Sequence, residues 1–152
     1  VKPSDETILA AMQGVIDNFL IPKFIELGMN ASGSWIAALE ARAVDGRGEI
    51  WGLDYTYYLV NGRAGGKRPP VAPLISWVGS KFGLTGQEAV SAAYAIATKI
   101  EREGTNYYPS GTDLLEVLSN PEVSQYVYTM IGADLAGQVR TEITRNAKLI
   151  FA

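Results

Sequence analysis

The sequence predicts an α+β fold: a long N-terminal helix, a β-hairpin or small antiparallel sheet, a Pro/Gly loop, and a helical C-terminal half. Three observations carry this reading. Apolar residues recur at helical spacing from Ile8 to Leu20. From Trp35 the pattern changes to alternation, interrupted by the hairpin-turn sequence Asp45-Gly46-Arg47-Gly48. After a Gly- and Pro-rich break at 62–73, helical periodicity returns and persists.

Each element follows from local chemistry. Ser4, Asp5 and Glu6 form a helix cap and first turn, where carboxylates suit the positive end of the dipole. Pro22 is expected to kink or end that helix, while Phe24, Ile25 and Leu27 continue its apolar face as far as Gly28. Residues 30–33 read as a loop. Trp35, Ala37, Leu39, Ala41 and Ala43 alternate as a first strand, and residues 50–58 pair back as a second. The end of that second segment, Tyr57 to Val60, has a short helical turn as its alternative.

Residues 62–73 are too rich in glycine and proline for a regular element. Leu74, Ile75, Trp77, Val78 and Phe82 then predict a short helix ending at Gly83. Thr85 and Glu88 have the spacing of a capping box, opening an alanine-rich helix that runs to about Glu103. Small side chains on all sides of that helix permit close approach from more than one direction. A loop at 104–111 leads to a short helix marked by Leu114, Leu115 and Leu118. Asn120-Pro121 restarts the chain as a long amphipathic helix carrying Val123, Tyr126, Val127, Met130, Ile131, Leu135, Val139 and Ile143. With no repeat, linker or low-complexity segment, residues 1–152 are expected to form a single domain.

Composition removes several kinds of chemistry. The chain contains neither cysteine nor histidine, so it has no thiolate nucleophile, no zinc–sulfur site and no imidazole base. Its net charge of −3 gives no bulk attraction for nucleic acid. No run approaches the roughly 18 apolar residues of a membrane helix, and the opening residues lack the pattern of a signal peptide. The expectation is a soluble protein made in the cytoplasm, with no membrane partner.

Gly62-Arg63-Ala64-Gly65-Gly66-Lys67 is not a phosphate loop, because Asn61 stands at the first glycine and Arg68 where a hydroxyl is required. Glu101 and Glu103 are two residues apart on a helix and do not share a face. The chain is therefore expected not to be an enzyme and to carry no cofactor or metal. The cluster Arg63, Lys67 and Arg68 is either a solvated loop or a contact for an acidic neighbour or a DNA backbone.

The order of segments adds a resemblance. Tyr57-Tyr58-Leu59-Val60-Asn61-Gly62-Arg63-Ala64-Gly65-Gly66-Lys67-Arg68-Pro69-Pro70-Val71, followed by Leu74-Ile75-Ser76-Trp77-Val78, resembles a family of small virion proteins of tailed bacteriophages. That family runs from an aromatic strand end through Gly-Arg, Pro-Gly-Lys and a Pro-Pro pair into an Ile-x-x-Trp helix. Ala93-Tyr94-Ala95-Ile96-Ala97, Lys99-Ile100 and Glu103-Gly104-Thr105 are similar to its second helix and Gly-Thr exit. These segments cover about a third of the chain, and the outer parts match in layout only. Ala64-Gly65 departs from the pattern, where the family has a proline.

The resemblance implies a non-enzymatic structural protein of the virion: a subunit of a ring at the head–tail interface, in the neck, connector or tail-completion region. Its partners would be further copies in a homo-oligomeric ring, adjacent portal, neck or tail rings, and packaged DNA held without sequence specificity. Arg63, Lys67, Arg68, Pro69 and Pro70 become candidate inter-subunit or DNA-channel contacts. Leu149, Ile150 and Phe151 become a candidate terminal docking segment. The alternative is a small nucleic-acid-binding or accessory module that uses the basic loop 62–73.

Overall fold

The first helix starts where the sequence places it, with the Ser4 hydroxyl accepting the Thr7 N–H at 3.1 Å. The computed structural model describes residues 1–151, and side chains as far as residue 147. Helix α1 (Asp5–Val15) passes through one wide π turn (Ile16–Leu20) into α2 (Ile21–Glu26). Pro22 neither ends nor breaks this run. The Ile21 N–H donates to the Ile16 carbonyl, so the ladder changes register just ahead of the proline and absorbs its missing donor. The helix closes at Gly28, whose N–H reaches the Ile25 carbonyl (2.9 Å) while the Met29 N–H reaches that of Phe24 (3.3 Å). This pair of bonds is a Schellman cap.

The elements that follow are α3 (Ser34–Ala37), β1 (Glu40–Val44), β2 (Arg47–Trp51), α4 (Thr56–Asn61), α5 (Val71–Phe82) and α6 (Gly86–Glu103). A 3₁₀ turn (Glu116–Ser119) and α7 (Pro121–Phe151) complete the chain. The fold is α+β, with a long N-terminal helix, one antiparallel hairpin and a helical C-terminal half. Asp45 and Gly46, at φ 52° and 77°, form the two-residue turn, and Val44 pairs with Arg47 beside it.

Four local expectations are corrected. Trp35 lies on a helical turn, because its ring is needed against Phe24 rather than on a strand face. The second strand stops at Trp51, and Tyr57 and Tyr58 sit on α4, so the alternative of a helical turn at Tyr57 to Val60 is the one that holds. Thr85 flanks α6 without a capping hydrogen bond: Gly86 enters the helix at φ +56°, outside the geometry a capping box requires. The 22 residues of Asp5–Glu26 are long and apolar enough to cross a membrane, against the expectation that no stretch is. They reach that level because apolar residues occupy both faces, with Ile8, Ala11, Val15, Ile16 and Leu20 buried and Leu9 and Ile25 exposed.

The chain divides into two units, and the division falls within α2. In the first (Val1–Pro22, Leu39–Trp51, Glu116–Ala152), α1 packs against α7 and against both strands, and the π turn packs on the 3₁₀ turn. Gly14 leaves room for the Tyr126 hydroxyl, and the Tyr126 ring meets Phe19 edge-on at 5.7 Å. Asn120 caps α7 as expected, its Oδ1 accepting the Glu122 N–H at 3.0 Å. Asp134 on α7 accepts the Ser4 N–H (2.9 Å), and Gln138 Nε2 donates to the Lys2 carbonyl (2.9 Å).

In the second unit (Lys23–Ala38, Gly52–Leu115), α5 packs on α6, where Ala89, Ala93 and Ala97 recur every fourth residue and are all buried. The Trp35 ring stacks on Phe24 with centroids 4.3 Å apart, and its Nε1 donates to Thr56 Oγ1 at 2.9 Å. Lys23 Nζ pairs with Asp113 at 2.9 Å, which holds the Lys23 ammonium above its ordinary range.

Two predictions follow from this packing. The Ser4 amide lowers the pKa of Asp134, Arg42 that of Glu40 and Lys23 that of Asp113. The unfolded chain then binds more protons in acid, so the stability these groups contribute is present above about pH 4 and lost as pH falls through their folded values. Thermal melts from pH 7 to pH 2.5 should show this loss, and Asp134→Asn should make it shallower. An unchanged acid limb in Asp134→Asn would count against the role of the Ser4 contact. Gly137 on α7 has open space around its Cβ position, so Gly137→Ala should stabilise the chain by about 0.5–1 kcal/mol in urea titration.

Candidate functional site: a clamped basic loop beside an apolar cleft

The loop following α4 has no regular structure, yet its backbone is tied down. The Arg63 N–H donates to Thr105 Oγ1 (2.8 Å), and the Thr105 N–H returns to the Arg63 carbonyl (2.9 Å). The Gly66 N–H donates to the Glu101 carbonyl (2.6 Å). Carbonyls in the last turn of a helix lack intrahelical donors, and the loop supplies one. Two glycines make this fit feasible. Gly62 (φ 76°, ψ 176°) and Gly104 (φ 81°, ψ −170°) occupy a backbone region essentially confined to glycine. A Cβ on Gly104 would also collide with the Arg63 carbonyl oxygen.

The cations expected to form a contact are placed differently from one another. Arg68 Nε pairs with Glu101 Oε2 at 2.8 Å, and its Nη2 donates to Thr98 Oγ1 at 3.2 Å. That links the loop to α6 by a side chain as well as by backbone. Lys67 is exposed and Arg63 half-buried, and among the described residues neither forms an ion pair. Pro69 is buried, while Pro70 stands exposed at the entry to α5. Leu149, Ile150 and Phe151 belong to α7 by backbone, but their side chains lie outside the described residues.

The carboxylates that the sequence singled out are both taken by arginines: Glu101 by Arg68, and Glu103 by Arg102 at 2.7 Å. No group of three or more Asp or Glu side chains gathers to hold a metal among the described residues.

Sequence reading missed a second feature of this unit. A half-open cleft of about 620 Å³ lies between Leu27, Leu59, Leu74, Trp77, Phe82 and Ile100. Its one charged lining residue among the described residues is Lys99, whose ammonium donates to Asn106 Oδ1 at 3.2 Å. Burial pushes the Tyr107 phenol, also in its wall, above the ordinary value. A smaller recess of about 350 Å³, lined by Trp35, Tyr55 and Pro73, shares Met29, Leu59 and Trp77 with it. The available signal was α5 itself: Leu74, Ile75, Trp77, Val78 and Phe82 cover more of a helix than a single packing face can bury.

The clamp gives a direct test. Gly104→Ala combines backbone strain of roughly 1–3 kcal/mol with the collision at Arg63. A total near 2 kcal/mol should lower Tm by roughly 4–8 °C for a chain of this size. Thr105→Val, which strips the Arg63 N–H of its acceptor, should cost about 1–3 kcal/mol. Two wild-type melting curves would show that the loop is not anchored there. Comparison with protein-family models, curated proteins and solved structures finds no match to this chain.

Proposed function

We propose that this chain is a non-enzymatic structural subunit of a tailed-phage particle, one copy in a ring at the head–tail interface. The observation that carries the reading is the unity of the resembling segments. The stretch Tyr57 to Val78 and the Gly104-Thr105 exit, far apart in sequence, are bonded to each other through Arg63 and Thr105 within one unit, and Gly66 adds a bond to the Glu101 carbonyl just ahead of the exit. The motif therefore corresponds to one interdependent structure, as a shared architecture requires. A second support is the amount of large apolar surface left outside, with Phe82 60% and Tyr128 71% exposed. Exposed apolar and aromatic groups are what subunit contacts use.

The nucleic-acid reading of the loop draws less support, because Arg68 is already neutralised by Glu101. Lys67 and Arg63 remain as the cations that could meet a phosphate backbone or an acidic neighbour.

Immunogold electron microscopy of particles from the source, with an antibody to this chain, tests the proposal. Label at the junction of head and tail is the expected result. Particles without label, alongside abundant chain in the lysate, would reject it. Arg63→Ala combined with Lys67→Ala should impair assembly or DNA retention while leaving the circular dichroism and Tm of the isolated chain unchanged. Normal infectious particles from that variant would remove the loop from the contact.

A further inference from the structure

We propose that α7 of one copy lays Val139 and Ile143 into the apolar cleft of the second unit of another copy. This inference rests on the ring reading above and names a contact that would build the ring.

The donor side is a stripe that outruns its own packing. Along α7, Leu135 is half-buried, but Val139 and Ile143, one and two turns further on the same face, are 43% and 63% exposed. Isolated exposed apolar residues are ordinary. These two instead continue a periodic stripe beyond the place where its covering ends. They stand about 6 Å apart along the helix axis, the spacing of anchors in helix-in-groove recognition.

The acceptor side is the cleft walled by Leu74, Trp77, Phe82, Ile96 and Ile100. At about 620 Å³ it falls within the size range of sites that enclose apolar groups. Its aromatic rim is open, since Phe82 is 60% exposed and its ring meets Trp77 edge-on at 5.5 Å.

Charge supports the same match. Among the described residues, Lys99 is the cleft's one charged lining residue, and the partner of its ammonium is the Asn106 amide oxygen. Glu142 precedes Ile143 on the donor helix and is held by Arg145 at 2.6 Å. An exposed ion pair of that kind is worth little, so Glu142 can exchange it for Lys99 at small cost. Donor and acceptor are different patches of one chain, so the contact is heterologous. Such contacts generate a ring when the rotation closes and a filament when it does not.

The absence of cysteine makes the test clean. Ile143→Cys and Phe82→Cys each introduce a single thiol at an exposed position, and circular dichroism checks that both variants fold. Under copper-catalysed air oxidation, an equimolar mixture should give a covalent dimer of two 16.4 kDa chains, with none above background from either variant alone. In sedimentation, wild type should pass beyond the dimer, and Ile143→Asp and Phe82→Asp should each remain monomeric. Their mixture should stop at the heterodimer, because just one intact donor meets one intact cleft. Asp variants that assemble like wild type, or cysteine variants that link equally well alone, would overturn the contact, as would a mixture that never links. The same oxidation of purified particles carrying both cysteines separates this inference from the virion reading. Labelled particles without a covalent ladder reject the contact alone, whereas unlabelled particles reject the virion role and leave the solution cross-link to decide the contact.

Discussion

Gly104 has no Cβ, and the second unit is organised around that missing atom. The Arg63 carbonyl occupies the space a side chain would need, and Thr105 can then exchange two hydrogen bonds with Arg63. From there the loop runs along the last turn of α6, where Gly66 serves the Glu101 carbonyl and Arg68 its carboxylate. Pro69 and Pro70 then deliver the chain to the start of α5, which packs back on α6. A segment too rich in glycine and proline for a helix or strand is thus ordered by the unmet bonding needs of a helix end. Replacing the glycine would disturb the loop, the entry to α5 and the α5–α6 contact together.

What was legible in the sequence was mostly local chemistry. Ser4, Asp45-Gly46, Gly83 and Asn120-Pro121 mark starts, turns and stops because each acts through its own backbone or a group within a few residues. The misreadings involve a distant partner, a register change or, at Thr85, the backbone conformation of the next residue. Trp35 fitted an alternating pattern, but Phe24 and Thr56 draw its ring into a core, and a period-two pattern contains no such information. At Pro22, where a kink or an end was expected with the apolar face continuing to Gly28, a π turn changes the register of the ladder and the helix runs on to Glu26. Thr85 and Glu88 had the right spacing, but Gly86 spoils the entry geometry.

The candidate site was legible to the same depth. Glycine and proline content showed that residues 62–73 form no element, and their cations were visible by inspection. What separates those cations is invisible at that level. Arg68 is claimed by Glu101, 33 residues further on, while Lys67, its immediate neighbour, is left in solvent. The cleft was missed for a related reason. Its walls come from five segments of the chain, and no single stretch carries its pattern.

The distribution of side-chain sizes explains why such a cleft persists. The α6 face against α5 is built from Ala89, Ala93 and Ala97, each contributing a single buried methyl. Alanine lets backbones approach closely, but every methylene it lacks forgoes about 0.8 kcal/mol of burial. Two large residues of the same unit, Trp77 and Phe82, stand at the rim with part of their surface still in water. Covering the 60% of Phe82 that is still exposed would add roughly 1–2 kcal/mol, more than most exposed ion pairs supply. Apolar stabilisation in this unit is therefore held partly in reserve at its surface. Any group that binds the folded cleft and not the unfolded chain strengthens the fold as it binds. Binding and folding would be thermodynamically linked through that reserve, and Gly104 and Thr105, which anchor the loop at Arg63, line the same cleft.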